Sequence, residues 1–174
     1  MTQSAQAKWK NVEMLVLDVD GVLTTGKIIL NDDGNEIKIF DVQDGFGVVL
    51  WRRAGFKVAI ISARAAPAVT ARAKDLGIDR VYQDAHPKTK AYEKLLKEFK
   101  LTDDQVCFIG DDLPDICVLN RVGLSVSVPN AASEAKKAAA YITKNKGGCG
   151  AVREVVEKIL KAKKVWPSIV KSYQ

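Results

Sequence analysis

The sequence predicts an α/β protein built on one doubly wound, mostly parallel sheet. Three observations carry that reading. Apolar runs of strand length stand at residues 12–17, 57–61, 106–109 and 124–128, as expected of strands buried on both faces of a parallel sheet. Helical patterns separate them, the alternation that doubly wound sheets require. Three of the runs end in polar groups: Asp18-Val19-Asp20-Gly21, Ser62, and Gly110-Asp111-Asp112. The carboxyl ends of parallel strands are where open α/β sheets place their ligands.

Residues 1–11 read as a loose tail or a short amphipathic lead-in. The first strand follows and stops at the acidic loop. Runs 27–30 and 37–40 flank Asn31-Asp32-Asp33-Gly34-Asn35. That is strong turn chemistry, so a β-hairpin is expected to project above the acidic loop. Residues 41–45 read as a polar loop returning to the site. Residues 46–54 read as a helix stopped by Gly55. After the second strand, Pro67 opens a helix that runs to Leu76 and stops at Gly77. A short strand at 80–82 precedes the helix 88–99, whose stripe is Ala91, Tyr92, Leu95, Leu96 and Phe99. A capped turn at 102–105 leads into strand 106–109. Residues 116–120 and 131–140 read as helices around strand 124–128, and 141–143 as a brief last strand. A glycine-rich stretch, 147–150, reads as a flexible lead into a helix at 151–163. Residues 164–174 form a tail with Trp166 and Tyr173. No repeat or linker interrupts residues 1–174, so one domain is expected.

The chain has 174 residues, 47% of them hydrophobic and 28% charged, a normal balance for a globular domain. Its net charge of +6 is spread over helices, with a modest cluster at Lys158, Lys161, Lys163 and Lys164. A solvated face or a general pull on anionic substrates is expected rather than a nucleic-acid partner. No apolar run is long enough to span a bilayer, so no membrane association is expected. The polar start and three unpaired cysteines fit a reducing cytoplasm.

Asp18 and Asp20 alternate along an extended chain and so face the same way. Two carboxylates that close repel each other, and a divalent cation is the ordinary remedy. Asp111 and Asp112 end another strand, Ser62 offers a hydroxyl, and Lys88 opens a helix. These groups can converge on one sheet edge. Few, hard oxygen ligands favour Mg²⁺, and a single histidine with no cysteine cluster argues against zinc. A nucleophile, an acid and cations on phosphoryl oxygens are what phosphoryl transfer to a carboxylate needs.

In this order, Asp18-x-Asp20-x-Val22, Ser62, Lys88 and Gly110-Asp111-Asp112-x-x-Asp115 resemble the four motifs of the haloacid dehalogenase superfamily. The stretches Asp18-Val-Asp-Gly-Val-Leu-Thr, Phe40-Asp-Val-Gln-Asp-Gly-Phe-Gly, Ile109-Gly-Asp-Asp-Leu and Lys146-Gly-Gly-Cys-Gly-Ala-Val-Arg-Glu narrow it. They are similar to its capless sugar-acid branch, the 3-deoxy-D-manno-octulosonate 8-phosphate phosphatase family. The resemblance spans residues 12–161. It implies a Mg²⁺-dependent, cytoplasmic phosphatase in lipopolysaccharide precursor synthesis, a homotetramer with a hairpin flap (27–40) in place of a cap domain. It implies Asp18 as nucleophile and Asp20 as acid and base. Metal ligands would be Asp18, the Asp20 carbonyl and Asp111. Ser62 and Lys88 would hold phosphoryl oxygens. The phosphorylated sugar acid would meet Asp20, Lys88, the loop Asp41, Val42, Gln43, Asp44 and Gly45, and Arg64 and Arg72, arginine being suited to a carboxylate by its planar fork.

The chain departs from the family pattern at Asp41, where Asn is common, at Gln43, where Arg is common, and at Val49, Ala63 and Pro87. The phosphoryl residues are intact but the sugar-facing loop is altered, which bears on the substrate rather than the reaction, and a nine-carbon sugar acid 9-phosphate is the nearest rival substrate. A receiver-like phospho-acceptor domain and a regulatory domain with a decayed site are rivals of another class. The second aspartate of the first loop argues against a receiver, and the complete set of motif residues argues against decay. Residue by residue, Asp112 can serve only the amides of the following helix, Asp115 can orient Lys88 or a metal water, and His86 fits a surface loop. Arg72 can be a plain helix-surface charge. The glycines at 147–150 lack the Gly-Lys-Ser/Thr ending of a phosphate loop.

Overall fold

The computed structural model describes residues 3–174. In chain order its elements are α1 (Gln3–Asn11), β1 (Met14–Leu17), β2 (Ile29–Leu30), β3 (Glu36–Ile37), α2 (Val42–Arg53), β4 (Lys57–Ile61), α3 (Pro67–Leu76), β5 (Arg80–Tyr82) and α4 (Lys88–Phe99). Then follow β6 (Val106–Ile109), α5 (Ile116–Leu119), β7 (Leu124–Ser127), α6 (Ser133–Ala138), β8 (Tyr141–Ile142), α7 (Ala151–Ala162) and α8 (Trp166–Lys171). Single 3₁₀ turns at Asp103–Gln105 and Leu113–Asp115 precede β6 and α5.

Six strands form one sheet in the order β5-β4-β1-β6-β7-β8. Every pair in it is parallel, so the expected sheet forms. β1 sits between β4 and β6, with Leu17 level with Ile60 on one side and Ile109 on the other. The chain winds outward from β1 in both directions, which makes the end of β1 the switch point of the fold and the natural place for a ligand. All four residues of β1 are fully buried, as are Val106, Cys107, Phe108 and Ile109 of β6, which explains why both strands read as unbroken apolar runs. Among the described residues, no helix is long and apolar enough to cross a membrane.

The structure corrects the sequence reading where side-chain contacts override composition. Residues 3–11 form a helix whose Trp9 is buried and packs edge-on against Tyr141, ring centroids 5.1 Å apart. The polar stretch 41–45 is not a loop. Asp41 is the N-cap of α2, its Oδ1 accepting the Asp44 N–H at 3.0 Å, so Val42 to Gly45 make the first helical turn. Asp44 is buried, and its carboxylate accepts N–H groups of Gly150 (3.1 Å) and Arg153 (2.8 Å) at the start of α7. It therefore joins α2 to α7, and burial pushes its carboxyl up to about 6 in spite of those two donors. The stretch read as a tail contains α8, folded back so that Tyr173 meets Phe46 edge-on and its hydroxyl accepts from Arg53 at 2.6 Å.

The hairpin forms where expected, but each strand is only two residues long. A ribbon that short is marginal alone, and Ile28, Ile29, Leu30, Ile37 and Ile39 lie exposed on it.

The glycine-rich stretch before α7 is tightly packed rather than loose. Gly148 donates to the Val22 carbonyl at 2.8 Å. Gly147 donates to Asn130 Oδ1 at 2.8 Å, and Asn130 Nδ2 donates to the Gly21 carbonyl at 3.1 Å. A side chain at Gly147 would overlap that same Gly21 carbonyl oxygen. This generates the first test. Gly147→Ala is expected to destabilise the protein by about 1–3 kcal/mol through overpacking, read as a lowered urea midpoint. An unchanged midpoint would show that the close approach is not a constraint.

Candidate active site

The site grows from the end of β1. Asp18 is the first residue past the strand, and its N–H donates to the Ile109 carbonyl of β6 at 3.0 Å, which fixes it between two neighbouring strands. The loop after it is knotted by Thr24, whose hydroxyl oxygen accepts from Gly26 at 3.2 Å. Gly21 leaves room for the Asp111 carboxylate, which a Cβ there would overlap.

Lys88, the first residue of α4, is 2% exposed. Its Nζ donates to Asp18 Oδ1 and to Asp115 Oδ1, each at 2.5 Å. The other oxygen of Asp115 accepts the backbone N–H groups of Asp111 (2.8 Å) and Asp112 (3.1 Å). Asp115 thus orients both the lysine and the acidic loop after β6, one of the two roles open to it in the sequence. Asp112 Oδ1 accepts the Leu113 N–H at 2.8 Å, a capping role, and His86 is exposed.

Asp18, Asp111 and Asp115 each bring a carboxylate oxygen within 4.8 Å of the others. The electrostatic cost is plain. Burial, countered by Lys88 and reinforced by Asp115, pushes the Asp18 carboxyl up to about 6. Burial, and then the charges of Asp18, Asp115 and Asp112, push Asp111 up to about 8. Burial pulls Lys88 down, but the two aspartates outweigh it and hold the ammonium charged. Among the described residues, Asp111 Oδ1 is a buried oxygen with no hydrogen-bond partner. An orphaned hard donor beside crowded carboxylates fits an oxygen-seeking divalent cation. With both oxygens of Asp115 already engaged, Asp18 and Asp111 are the side chains free to hold one.

Ser62 is the first residue past β4, is buried, and accepts the Arg64 N–H at 3.2 Å, which leaves its hydroxyl hydrogen for an anion. A cavity of about 320 Å³ is lined by Asp18, Asp20, Ser62, Arg64, Lys88 and Asp111, among others. Of the residues given catalytic, metal or substrate roles by the resemblance, these six are brought together, and Asp112 and Asp115 line the same cavity. Asp41, Val42, Gln43, Asp44 and Gly45 do not line it, nor does Arg72, which pairs with Asp75 at 2.6 Å and lies over the Phe40 ring. Sequence reasoning missed Glu36 and Lys38, whose side chains reach Asp20 and Arg64 from the hairpin, and Asn130. The alternation Glu36-Ile37-Lys38-Ile39 was the available signal. A larger groove of about 710 Å³ beside α1 and α7 has its acids engaged, Glu154 with Tyr141 and Glu157 with Arg153 and Lys161.

Comparison with known proteins matches residues 78–155 to the haloacid dehalogenase-like hydrolase family. The 3-deoxy-D-manno-octulosonate 8-phosphate phosphatase of Escherichia coli K12 is 42% identical over 156 residues, covering 90% of this chain and 83% of that protein. The chain belongs to that phosphatase family. The Yersinia pestis member is 43% identical over 152 residues, 87% of this chain and 81% of its own. Among solved structures, the phosphatase of Moraxella catarrhalis, in complex with magnesium ion, phosphate ion and KDO, superposes with a TM-score of 0.96 at 38% identity over the whole of both chains. The cobalt-bound form from Haemophilus influenzae superposes at 0.88 with 34% identity, covering 91% of this chain and 93% of that one. Family membership makes this chain a phosphoric monoester hydrolase and sets aside the receiver-like reading.

The raised Asp111 carboxyl yields a test on the metal alone. Cation binding needs the ionised carboxylate, so below about pH 8 it must displace a proton. Mg²⁺ titrated into the protein at pH 7 is expected to release about one proton, seen as a dependence of the heat on buffer ionisation enthalpy. Affinity should weaken as pH falls below 8 and level off above it. Binding at pH 7 without proton release would contradict the crowding.

Proposed function

We propose that this protein hydrolyses 3-deoxy-D-manno-octulosonate 8-phosphate to the free sugar acid and phosphate, with Mg²⁺ as cofactor and an aspartyl phosphate on Asp18. The observation that carries the reading is the buried bridge from Lys88 to Asp18 and Asp115, opening into a cavity that also holds Asp20, Ser62 and Asp111. The relatives named above act on that substrate by name, and the Moraxella structure holds its sugar acid with magnesium and phosphate.

Asp18 attacks phosphorus as the bond to the sugar oxygen breaks. Asp20 gives that oxygen its proton. It then takes a proton from the water that attacks the same phosphorus, freeing phosphate and regenerating Asp18. Ser62 and Lys88 donate to the phosphoryl oxygens. Asp18, Asp111 and the Asp20 carbonyl would hold Mg²⁺, which when bound would supply positive charge beside the phosphoryl group. Arg64, half exposed at the cavity rim, is the cavity arginine available to a substrate carboxylate. Arg72 and the 41–45 turn stand outside the cavity of one subunit.

The same reading includes a homotetramer in the cytoplasm. Its support is the exposed isoleucine face of a hairpin too short to stand alone, which closed symmetric packing would cover.

The experiment is a panel of phosphate esters with Mg²⁺: the eight-carbon sugar acid 8-phosphate, the nine-carbon sugar acid 9-phosphate, and hexose phosphates. Preference for the first is expected. Asp18→Asn should abolish turnover while keeping the fold by circular dichroism, and light scattering should give four chains per particle. Preference for another ester would move the substrate assignment, and a turning-over Asp18→Asn protein would end the nucleophile assignment.

A further inference from the structure

The returning strand of the hairpin has two faces. Glu36 and Lys38 are two residues apart and point one way, while Ile37 and Ile39 point the other. Burial follows that alternation: Ile37 is 48% and Ile39 66% exposed, whereas the Lys38 side chain is 3% exposed. Lys38 Nζ donates to Asp20 Oδ1 at 2.5 Å and to Glu36 Oε1 at 2.9 Å. Glu36 Oε2 in turn accepts from Arg64 at 3.1 Å. The second oxygen of Asp20 is buried without a hydrogen-bond partner among the described residues, with an Arg64 nitrogen 3.8 Å away.

A carboxylate at the end of a loop can swing about its side-chain bonds. Here one oxygen is pinned by an ammonium that is itself pinned by Glu36, and the other is left bare beside the cavity. A long lysine side chain loses rotamer freedom when fixed this way, and Arg64 holds Glu36, the lysine's second partner, in place.

We propose that Lys38 is the positioning residue of the acid and base: by fixing Asp20 Oδ1, the hairpin aims Asp20 Oδ2 at the leaving sugar oxygen. The inference rests on the role given to Asp20 in the proposed function. It also gives the hairpin a second task. Whatever packs on its isoleucine face steadies the segment that follows β3 and carries Lys38, so assembly and proton transfer meet in one element.

The test compares leaving groups in the Mg²⁺-loaded protein. A sugar phosphate needs its oxygen protonated on departure, whereas 4-nitrophenyl phosphate does not. Asp20→Asn is the reference and is expected to lose about 10²- to 10⁴-fold in kcat on the sugar phosphate and much less on the nitrophenyl ester. Lys38→Met is expected to show the same bias in weaker form. Its kcat on the sugar phosphate should fall about tenfold to a hundredfold, the scale of a misplaced catalytic group. Its KM should stay close to that of the parent, and its nitrophenyl activity should fall less than its sugar phosphate activity, because that ester needs Asp20 only in the water-activating step the two substrates share. Lys38→Arg, which keeps a charged donor, should restore part of the ratio between the two substrates, and it guards against a Met variant whose hairpin is displaced. Equal losses on both esters, a raised KM with kcat intact, or no recovery with arginine would each overturn the positioning role. An Asp20→Asn protein without leaving-group bias would instead overturn the acid assignment beneath it.

Discussion

Three aspartates share a buried space at the end of β1, and one lysine keeps two of them from driving the site apart. Lys88 sits between Asp18 and Asp115 with almost no exposure. Removing one partner of such a bridge typically costs about 3–5 kcal/mol, because the other is left as an uncompensated buried charge. The arrangement is therefore poorly explained as a stabilising device, since an apolar trio would serve stability at least as well. It is well explained as a way to hold a carboxylate beside a phosphoryl group. The ammonium and a cation together supply the positive charge that Asp18, Asp111 and Asp115 lack among themselves.

The fold exists around that constraint. β1 is central, so Asp18 is fixed by a backbone bond to β6 while Ser62 arrives from β4 and Lys88 from the start of α4. Asn130 and the glycines at 147 and 148 clamp the acidic loop from the other half of the sheet. Asp44 ties the first turn of α2 to the first turn of α7. These are contacts between parts of the chain about a hundred residues apart, and they leave the loop little freedom. The hairpin leaves Ile28, Ile29, Leu30, Ile37 and Ile39 exposed, so apolar packing on the core does little to hold it.

Much of this was legible in the sequence. The strands at 57–61, 80–82 and 106–109 and the helices at 67–76 and 88–99 stand at the expected residues, because apolar period and stop residues decide them locally. The convergence of Asp18, Asp20, Ser62, Lys88 and Asp111 was also expected, since a parallel sheet brings its strand ends to one edge. What escaped the sequence was set by long-range contacts. The turn at 41–45 looked like a loop because its polar residues are a helix cap and a buried carboxylate. The glycines before α7 looked flexible because their partner, Gly21, lies far away in the chain. Nothing local in the sequence sets Lys38 apart from the other charges of the chain, and only the fold turns its side chain inward.

The central claim is that the bridged Asp18 carries the phosphoryl group during turnover. Acid quenching of the Mg²⁺-loaded protein during steady turnover traps an acyl phosphate, and peptide mass spectrometry locates it. The account expects the phosphoryl group on the peptide that holds Asp18, at Asp18 itself, and absent from an Asp18→Asn protein treated in the same way. Phosphorylation at another residue, or sustained turnover with Asp18 always unmodified, would contradict it.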